Sequence, residues 1–105
     1  MIIVESRAFE RLRGRYFDDD QYRLLQVALC AWPERGNLIQ GSGGLRKLRW
    51  SEPGRGKRGG LRVIYYWITH DDQILLLTVY RKSEMEDLTP SDIQLLKSLV
   101  DSLEG

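Results

Sequence analysis

The chain has 105 residues, of which 42% are hydrophobic and 30% charged, and its formal net charge is +1 at pH 7. This length and composition suit one globular domain with one core. They exclude a membrane-spanning protein, because no apolar run approaches the roughly 20 residues that cross a bilayer. The apolar residues 2–4 are followed at once by charged ones, unlike a signal peptide. We therefore expect a single domain over residues 1–105, located in the cytoplasm and making no membrane contact.

The first part of the chain predicts a short strand followed by a helical hairpin. Residues 2–4 suit an edge strand, and Ser6 is a good N-cap for a brief helix ending near Gly14. Three aspartates at 18–20 open a longer helix that Pro33 stops. Cys30, the one cysteine, cannot form an internal disulfide and is expected to be a small buried residue of this helix. The apolar stripe of the second helix comprises Tyr22, Leu25, Leu29 and Trp32, widened by Leu24, Ala28 and Ala31.

Three alternating runs, at residues 45–50, 61–69 and 73–81, predict an antiparallel meander after a connector at 34–44. Residues 51–60, with four glycines, and the polar turn 70–72 connect the runs. Thr89 and Pro90 begin a C-terminal helix, which either packs on the sheet or lies over its basic face. The predicted fold class is α+β, with a central antiparallel sheet packed on the N-terminal helical hairpin. The stripe of the last helix comprises Ile93, Leu96, Leu99, Val100 and Leu103.

Alternation gives the two faces of this sheet opposite characters, because successive side chains of a strand point to opposite sides. One face would carry Leu48 and Trp50 with two apolar rows, which are Val63, Tyr65 and Trp67, and Leu75, Leu77 and Val79. The other face would gather Lys47, Arg49, Arg62, Tyr66, Tyr80 and Lys82. A face of cations and tyrosines is not expected to be core. It suits an anionic ligand with flat rings, such as a nucleic acid.

Positive charge is concentrated in residues 43–67, which hold seven basic residues and one acidic residue. Part of it lies in the glycine-rich connection, as Arg55, Lys57 and Arg58. Residues 54–59 formally match G-x-G-x-x-G but lead into a strand, which excludes a dinucleotide site. This connection is either a soluble hairpin tip or a tip that touches phosphates. No Cys/His cluster is present, and the aspartate runs suit caps and turns, so we expect no metal and no cofactor.

Three ordered segments resemble the RelE-like toxins, especially their HigB branch. They read GGLRKLRW at 43–50, GKRGGLRVIYY at 56–66 and LLTVYRK at 76–82, and DDQYRLLQ at 19–26 precedes them. The resemblance implies a small α+β fold and a type II toxin that cuts mRNA, usually in the ribosomal A site, without a metal. It also implies a protein antitoxin as partner, which we expect to be of the helix-turn-helix type.

The resemblance also assigns roles to individual residues. The family's alternating basic pair matches Lys47 and Arg49, and its arginine after the hairpin glycine matches Arg62. Its basic residue at the end of the last strand matches Lys82, or Arg81 if the register shifts. Some members carry a catalytic tyrosine where this chain has Leu88, so Tyr80 takes that role here. The predicted catalytic residues are Lys47, Arg49, Arg62, Tyr80 and Lys82, and the predicted RNA-binding residues are Arg46, Arg55, Lys57, Arg58, Tyr66 and Arg81.

Two other functions stay open from the residues alone. The same face could serve a non-catalytic RNA- or ribosome-binding module, or a protein-interaction domain for an acidic partner. Defined cleavage products would separate the enzyme from the binding module. Salt-dependent binding to an acidic protein, with none to RNA or ribosomes, would indicate the third function.

Overall fold

A computed structural model of the protein describes residues 1–51 and 60–104. The elements are β1 (Ile2–Glu5), α1 (Arg7–Tyr16), α2 (Asp19–Ala31), a short 3-10 turn (Pro33–Arg35), β2 (Asn37–Leu38), β3 (Leu45–Trp50), β4 (Leu61–Ile68), β5 (Gln73–Arg81) and α3 (Pro90–Glu104). The predicted α+β class is confirmed, with a helical hairpin before the meander and a helix after it.

The sheet has five strands in the order β1-β5-β4-β3-β2. β3, β4 and β5 form the predicted antiparallel meander. β1 is an edge strand, as predicted, and it pairs in parallel with β5. The sequence predicts only a connector over residues 34–44, whereas the structure places β2 there, antiparallel to β3. Two strand residues are too few for alternation to be recognised in the sequence.

The first face of the sheet packs on the hairpin of α1 and α2. Two helix caps set this hairpin in place, and both are at predicted positions. The Ser6 hydroxyl accepts a hydrogen bond from the Phe9 N–H at 3.0 Å and donates to the Leu77 carbonyl at 2.7 Å. Asp18 forms a capping box with Gln21. The buried side chains are Phe9, Tyr16, Phe17, Tyr22, Leu25 and Leu29 of the hairpin and Leu48, Leu61, Val63, Tyr65, Ile74, Leu76 and Val79 of the sheet.

Some details of the hairpin differ from the predictions. α1 continues to Tyr16, two residues past Gly14. Trp32 is 57% exposed and Leu24 is 52% exposed, so neither belongs to the buried stripe. Trp32 caps the helix end and therefore does not continue its periodicity. Cys30 is exposed, and its predicted burial is wrong because it lies about 100° around the helix from the buried Leu29.

The second face of the sheet is partly a core, because α3 packs on it through the predicted stripe. Thr89 and Asp92 cap this helix reciprocally, with N–H to oxygen distances of 2.9 and 3.1 Å. The expectation that this face is not core is therefore wrong for much of its length, although Arg49 at the end of β3 is exposed. The buried residues are Leu45, Ile64, Ile68, Leu75, Leu77, Tyr80 and Val100.

A register shift between β4 and β5 changes which residues share a face. Ile64 pairs with Thr78 and Tyr65 with Leu76, so Leu77 is an extra residue in β5. Such a bulge breaks the alternation. Leu75 and Leu77 consequently lie in the core between the sheet and α3, which we call the second core. Val79 lies in the first core, between the sheet and the helical hairpin. The predicted row of Leu75, Leu77 and Val79 is therefore wrong.

Candidate nucleic-acid interface

Three basic residues lie side by side at one end of the second face. Arg49 of β3 is directly opposite Arg62 of β4, and Arg62 is directly opposite Tyr80 of β5. Opposite residues of neighbouring strands have Cβ atoms about 4.5–5.5 Å apart. Lys47 precedes Arg49 by two residues and therefore points to the same face. We call Lys47, Arg49 and Arg62 the basic cluster.

The two arginines of the cluster face each other without a carboxylate between them. Among the residues that the structure describes, the acidic side chains form ion pairs elsewhere or none, and none pairs with Arg49 or Arg62. Like charges directly opposite each other destabilise a sheet. The guanidinium of Arg62 donates to the Leu61 carbonyl at 3.2 Å, which uses one of its five N–H donors. A bound polyanion would remove this repulsion and take up the remaining donors.

Lys47 is held by a carboxylate from the segment between β5 and α3. Its Nζ lies 3.5 Å from Oδ1 of Asp87. The Leu88 N–H donates to the same oxygen at 2.9 Å. The hydrogen bond from Leu88 and the charge of Lys47 together lower the pKa of Asp87. Asp87 is therefore ionised near neutral pH. Sequence reasoning missed it, since nothing local connects residues 40 positions apart.

Tyr80 adjoins the basic cluster but is buried. Its side chain is 5% exposed, and its hydroxyl has no hydrogen-bond partner in the described part of the chain. Burial, and then the charge of Asp87, raise the pKa of Tyr80, although the charge of Arg62 opposes the shift. The hydroxyl is thus protonated at neutral pH.

Tyr66 lies at the other end of the second face. It is directly opposite Leu45 and packs against the second core. Its ring also lies against Gly44, where an added Cβ would be 2.9 Å from the Tyr66 Cε1 atom. Four residues of strand separate it from Arg62, or about 13 Å. The structure does not bring Tyr66 to the basic cluster.

Lys82 and Arg81 lie at the end of β5. β5 ends at Arg81, and Lys82 is exposed in the following turn. The guanidinium of Arg81 lies 5.4 Å from the centre of the Tyr16 ring. The Tyr16 hydroxyl donates to the Glu84 carboxylate at 2.6 Å. The same carboxylate accepts a hydrogen bond from the backbone N–H of Arg81 at 2.9 Å. The end of α1 therefore fixes the turn that carries Lys82.

The remaining predicted RNA-binding residues lie outside the cluster or outside the described chain. Arg46 points to the opposite face from Lys47, and its Nη1 donates to the carbonyls of Gly36 and Glu34 at 2.8 and 3.3 Å. Arg46 thereby ties β3 to the turn before β2. Arg55, Lys57 and Arg58 fall outside the described residues, so the prediction for them stays a prediction.

An open cleft of about 410 Å³ adjoins the basic cluster. It is lined by Lys47 and Arg49 of the sheet and by residues 37–40 of the edge segment. Asp87, Leu88 and Ile93 complete the lining. Sequence reasoning missed residues 37–40, because it assigned residues 34–44 only as a connector.

The described ranges offer little else for chemistry. In residues 1–51 and 60–104, no three His, Cys, Asp or Glu side chains are arranged to hold a metal ion. His70 lies in an exposed turn, 3.6 Å from Asp71. No helix in the same ranges combines the length and apolar character needed to cross a membrane. The described residues therefore offer a cluster of cations suited to binding and stabilising negative charge.

Known proteins share both the sequence pattern and the fold. Residues 5–105 match the family model of the RelE toxin of the RelE/RelB toxin–antitoxin system. A structure of a mutant Escherichia coli toxin RelE in the free state is similar with a TM-score of 0.55 and 19% identity, covering 81% of this chain and 86% of that chain. The solution structure of a conserved hypothetical protein from Helicobacter pylori gives a TM-score of 0.52 and 18% identity, covering 81% and 98%.

These likenesses carry different weight. At below 20% identity, the two solved structures show the fold alone. The family model spans nearly the whole chain, which settles the family but not a branch within it. The finer assignment to HigB stays a prediction. The chain belongs to the RelE toxin family of toxin–antitoxin systems.

Proposed function

We propose that this chain is the toxin of a type II toxin–antitoxin module and inhibits translation by cutting mRNA on the ribosome, without a metal. The observation that carries the proposal is the basic cluster. Arg49 and Arg62 face each other, with Lys47 on the same face, and no carboxylate of the described chain pairs with either arginine. Such a group of cations favours a ligand with closely spaced phosphates.

The proposed reaction uses the ribose of the RNA as its own nucleophile. The 2′-oxygen attacks the adjacent phosphorus, the bond to the 5′-oxygen breaks, and the products are a 2′,3′-cyclic phosphate and a 5′-hydroxyl. Arg62 and Arg49 would hold the non-bridging oxygens, with the planar guanidinium giving two parallel hydrogen bonds. These contacts would strengthen as negative charge accumulates on the non-bridging oxygens, which is how they would lower the barrier.

Lys47, Tyr80 and Lys82 would supply charge and hydrogen bonds around that phosphate. Lys47 lies 3.5 Å from the ionised Asp87. The raised pKa of Tyr80 makes its hydroxyl a donor rather than a base at neutral pH. Lys82 lies in the turn that Tyr16 and Glu84 fix, at the end of the strand carrying Tyr80. The cluster thus favours positioning and charge stabilisation over strong general-base catalysis.

Family membership implies an antitoxin as partner. We propose that the antitoxin is of the helix-turn-helix type, that the ribosome and its mRNA are the targets, and that the toxin acts in the cytoplasm. The charged tip with Arg55, Lys57 and Arg58 would attract the RNA backbone. The contacts that Arg46, Tyr66 and Arg81 make in this structure are with the protein itself. Their roles in RNA binding stay predictions.

The test is to add the purified protein to translating ribosomes and map the 5′ ends of the mRNA fragments. We expect fragments with 5′-hydroxyl ends and an arrest of translation in cells that express the chain alone. Soluble, abundant protein that leaves both mRNA and translation intact would contradict the proposal. Ribosome binding without fragments would instead support the non-catalytic binding module, and binding only to an acidic protein would support an interaction domain.

A further inference from the structure

We propose that the cleft beside the basic cluster is a pocket for one nucleobase of the RNA, and that Asn37 and Gln40 choose that base. We call it the base pocket, and it is lined by Asn37, Gln40, Leu38, Leu88, Ile93 and Asp87 beside Lys47 and Arg49. The inference rests on the proposed function, since it assumes an RNA phosphate on the basic cluster.

The sheet register places the pocket beside that phosphate. Asn37 is directly opposite Lys47, so the two side chains share the second face with Cβ atoms about 4.5–5.5 Å apart. β2 begins at Asn37, so the part of β3 that carries Arg49 has no β2 residue beside it. Lys47 and Arg49 line the cleft themselves, so the cleft directly adjoins the basic cluster.

The size and lining of the pocket suit a flat, uncharged ring. A volume of about 410 Å³ falls within the usual range for small-molecule sites, about 300–1,000 Å³. Leu88 and Ile93 offer apolar contact to the faces of a base. Leu38 also lines the cleft, but it is directly opposite Arg46, so its side chain points to the other face of the sheet.

The charges of the pocket favour a base over a second phosphate. Asp87 lines the pocket 3.5 Å from Nζ of Lys47, so the pocket, unlike the pair Arg49 and Arg62, contains a carboxylate. A phosphate in this position would meet the carboxylate of Asp87. A neutral base would instead find an acceptor for an exocyclic amino group.

Asn37 and Gln40 carry the groups that distinguish one base from another. Both side chains are exposed, and neither forms a hydrogen bond within the described part of the chain. A primary amide presents a donor and an acceptor side by side. This pair matches the edge of adenine that carries N6 and N7, and single-stranded RNA exposes that edge. We therefore expect adenine at one position next to the cleaved phosphate.

The experiment replaces each amide by leucine, which matches asparagine in shape, is one atom shorter than glutamine and removes the hydrogen bonds. Asn37→Leu and Gln40→Leu are compared with the parent and with Gln94→Leu, an exposed glutamine of α3 that does not line the pocket. Cleavage sites on mRNA from translating ribosomes are mapped for each protein. We expect Asn37→Leu to lower the preference for adenine about 5- to 150-fold, the value of one two-bond amide contact. The Gln94→Leu variant should cut at the parental sites.

The outcomes separate this inference from the proposed function. A parent that cuts mRNA with no base preference beside the phosphate, or variants that keep the parental site pattern, would overturn the inference and leave the function intact. An equal loss of rate at every site would also overturn it, because choosing a base changes the pattern and not only the rate.

A second measurement covers the case in which the parent cuts nothing and the proposed function itself fails. Binding of short single-stranded RNAs that differ in one base is then titrated against the parent and Asn37→Leu. A preference of the parent for the adenine-containing RNA, lost in the variant, would support the base pocket as a binding site. Equal affinities for all RNAs, or a preference that the variant keeps, would overturn it.

Discussion

The two faces of the central sheet are built from the same three strands but treat their charged residues differently. On the side of the helical hairpin, Arg13 pairs with Glu5 at 2.8 Å, and its guanidinium lies 4.8 Å from the centre of the Tyr22 ring. On the side of α3, Arg49 and Arg62 face each other with no carboxylate of the described chain paired to them. Arg13, which is paired with a carboxylate of the same chain, has a structural role. Arg49 and Arg62 lie opposite each other without such a carboxylate, which is the arrangement expected where an anion binds from outside.

The faces also differ in how completely they are covered. The hairpin contributes Phe9, Phe17 and Tyr22, three rings whose centres lie 6.0–6.5 Å apart, to a core that continues across the sheet. On the other side α3 covers the end that carries Tyr66, and the basic cluster lies toward the other end of β4. One strand can therefore change from buried core to a partly exposed basic surface along its length while its alternation stays regular.

The largest expected effect tests whether the more completely covered hairpin face contributes more to stability than the face under α3. Phe9 is fully buried, and Phe9→Ala should lower the free energy of unfolding by about 3–5 kcal/mol. Leu99→Ala, on the partly buried stripe of α3, should cost less than about 2 kcal/mol, because leucine deletions in full burial begin at about that value. Denaturant unfolding of both variants gives the comparison. Equal losses would show that the two faces contribute alike.

The next effect concerns the opposed arginines. Arg62→Ala should lower mRNA cleavage about 10²- to 10³-fold, the usual consequence of removing one donor to a developing oxyanion. Its free energy of unfolding should change by no more than about 0.5 kcal/mol. The matched control is Arg23→Ala, an exposed arginine of α2, which should keep both activity and stability. Full activity of the Arg62 variant, or a collapsed fold, would remove Arg62 from the proposed site.

A smaller effect is expected from the charged tip, which should assist binding but not chemistry. Changing Arg55, Lys57 and Arg58 to Ala should make the salt dependence of ribosome binding shallower, by up to about 2 in log–log slope if each neutralises one phosphate. At saturating ribosome concentration the cleavage rate should stay parental.

Changing three exposed helix arginines, Arg7, Arg11 and Arg23, to Ala is the control for net charge. This triple variant removes the same three positive charges from a different surface. An unchanged salt slope in the tip variant, or a rate at saturation as low as that of Arg62→Ala, would contradict the division between tip and sheet.

The smallest effect concerns the contact between Asp87 and Lys47. The pKa of Asp87 is lowered in the folded protein. The charged contact with Lys47 is therefore fully present at any pH above the ordinary pKa of an aspartate, about 3.9. It is lost only as pH falls through the lower folded value. Lys47→Met should raise the pKa of Asp87 part of the way back, since the Leu88 N–H still donates to the carboxylate. An NMR titration measures both proteins, and identical midpoints would mean that Lys47 does not act on Asp87.

Local patterns in the sequence are sufficient for the elements and for part of the site. Ser6, Asp18 and Thr89 begin helices in the structure as predicted, because a side-chain oxygen at that position satisfies an N–H that the helix leaves free. The three runs of the meander become strands with bounds within one residue of the prediction. Alternation alone also places Lys47, Arg49 and Arg62 on one face, since each side chain's direction depends only on its own strand.

What packs on each side chain is decided by parts of the chain far away in sequence. Asp87 reaches Lys47 across 40 residues, Arg81 lies over Tyr16 of α1, and α3 buries Tyr80. The bulge at Leu77 is likewise a property of the pair β4–β5, because an extra residue exists only relative to a partner strand. The sequence by itself determined the elements and the direction of the basic side chains. Only the tertiary structure decided which of those side chains stay open to a ligand, since burial depends on the elements that pack above them.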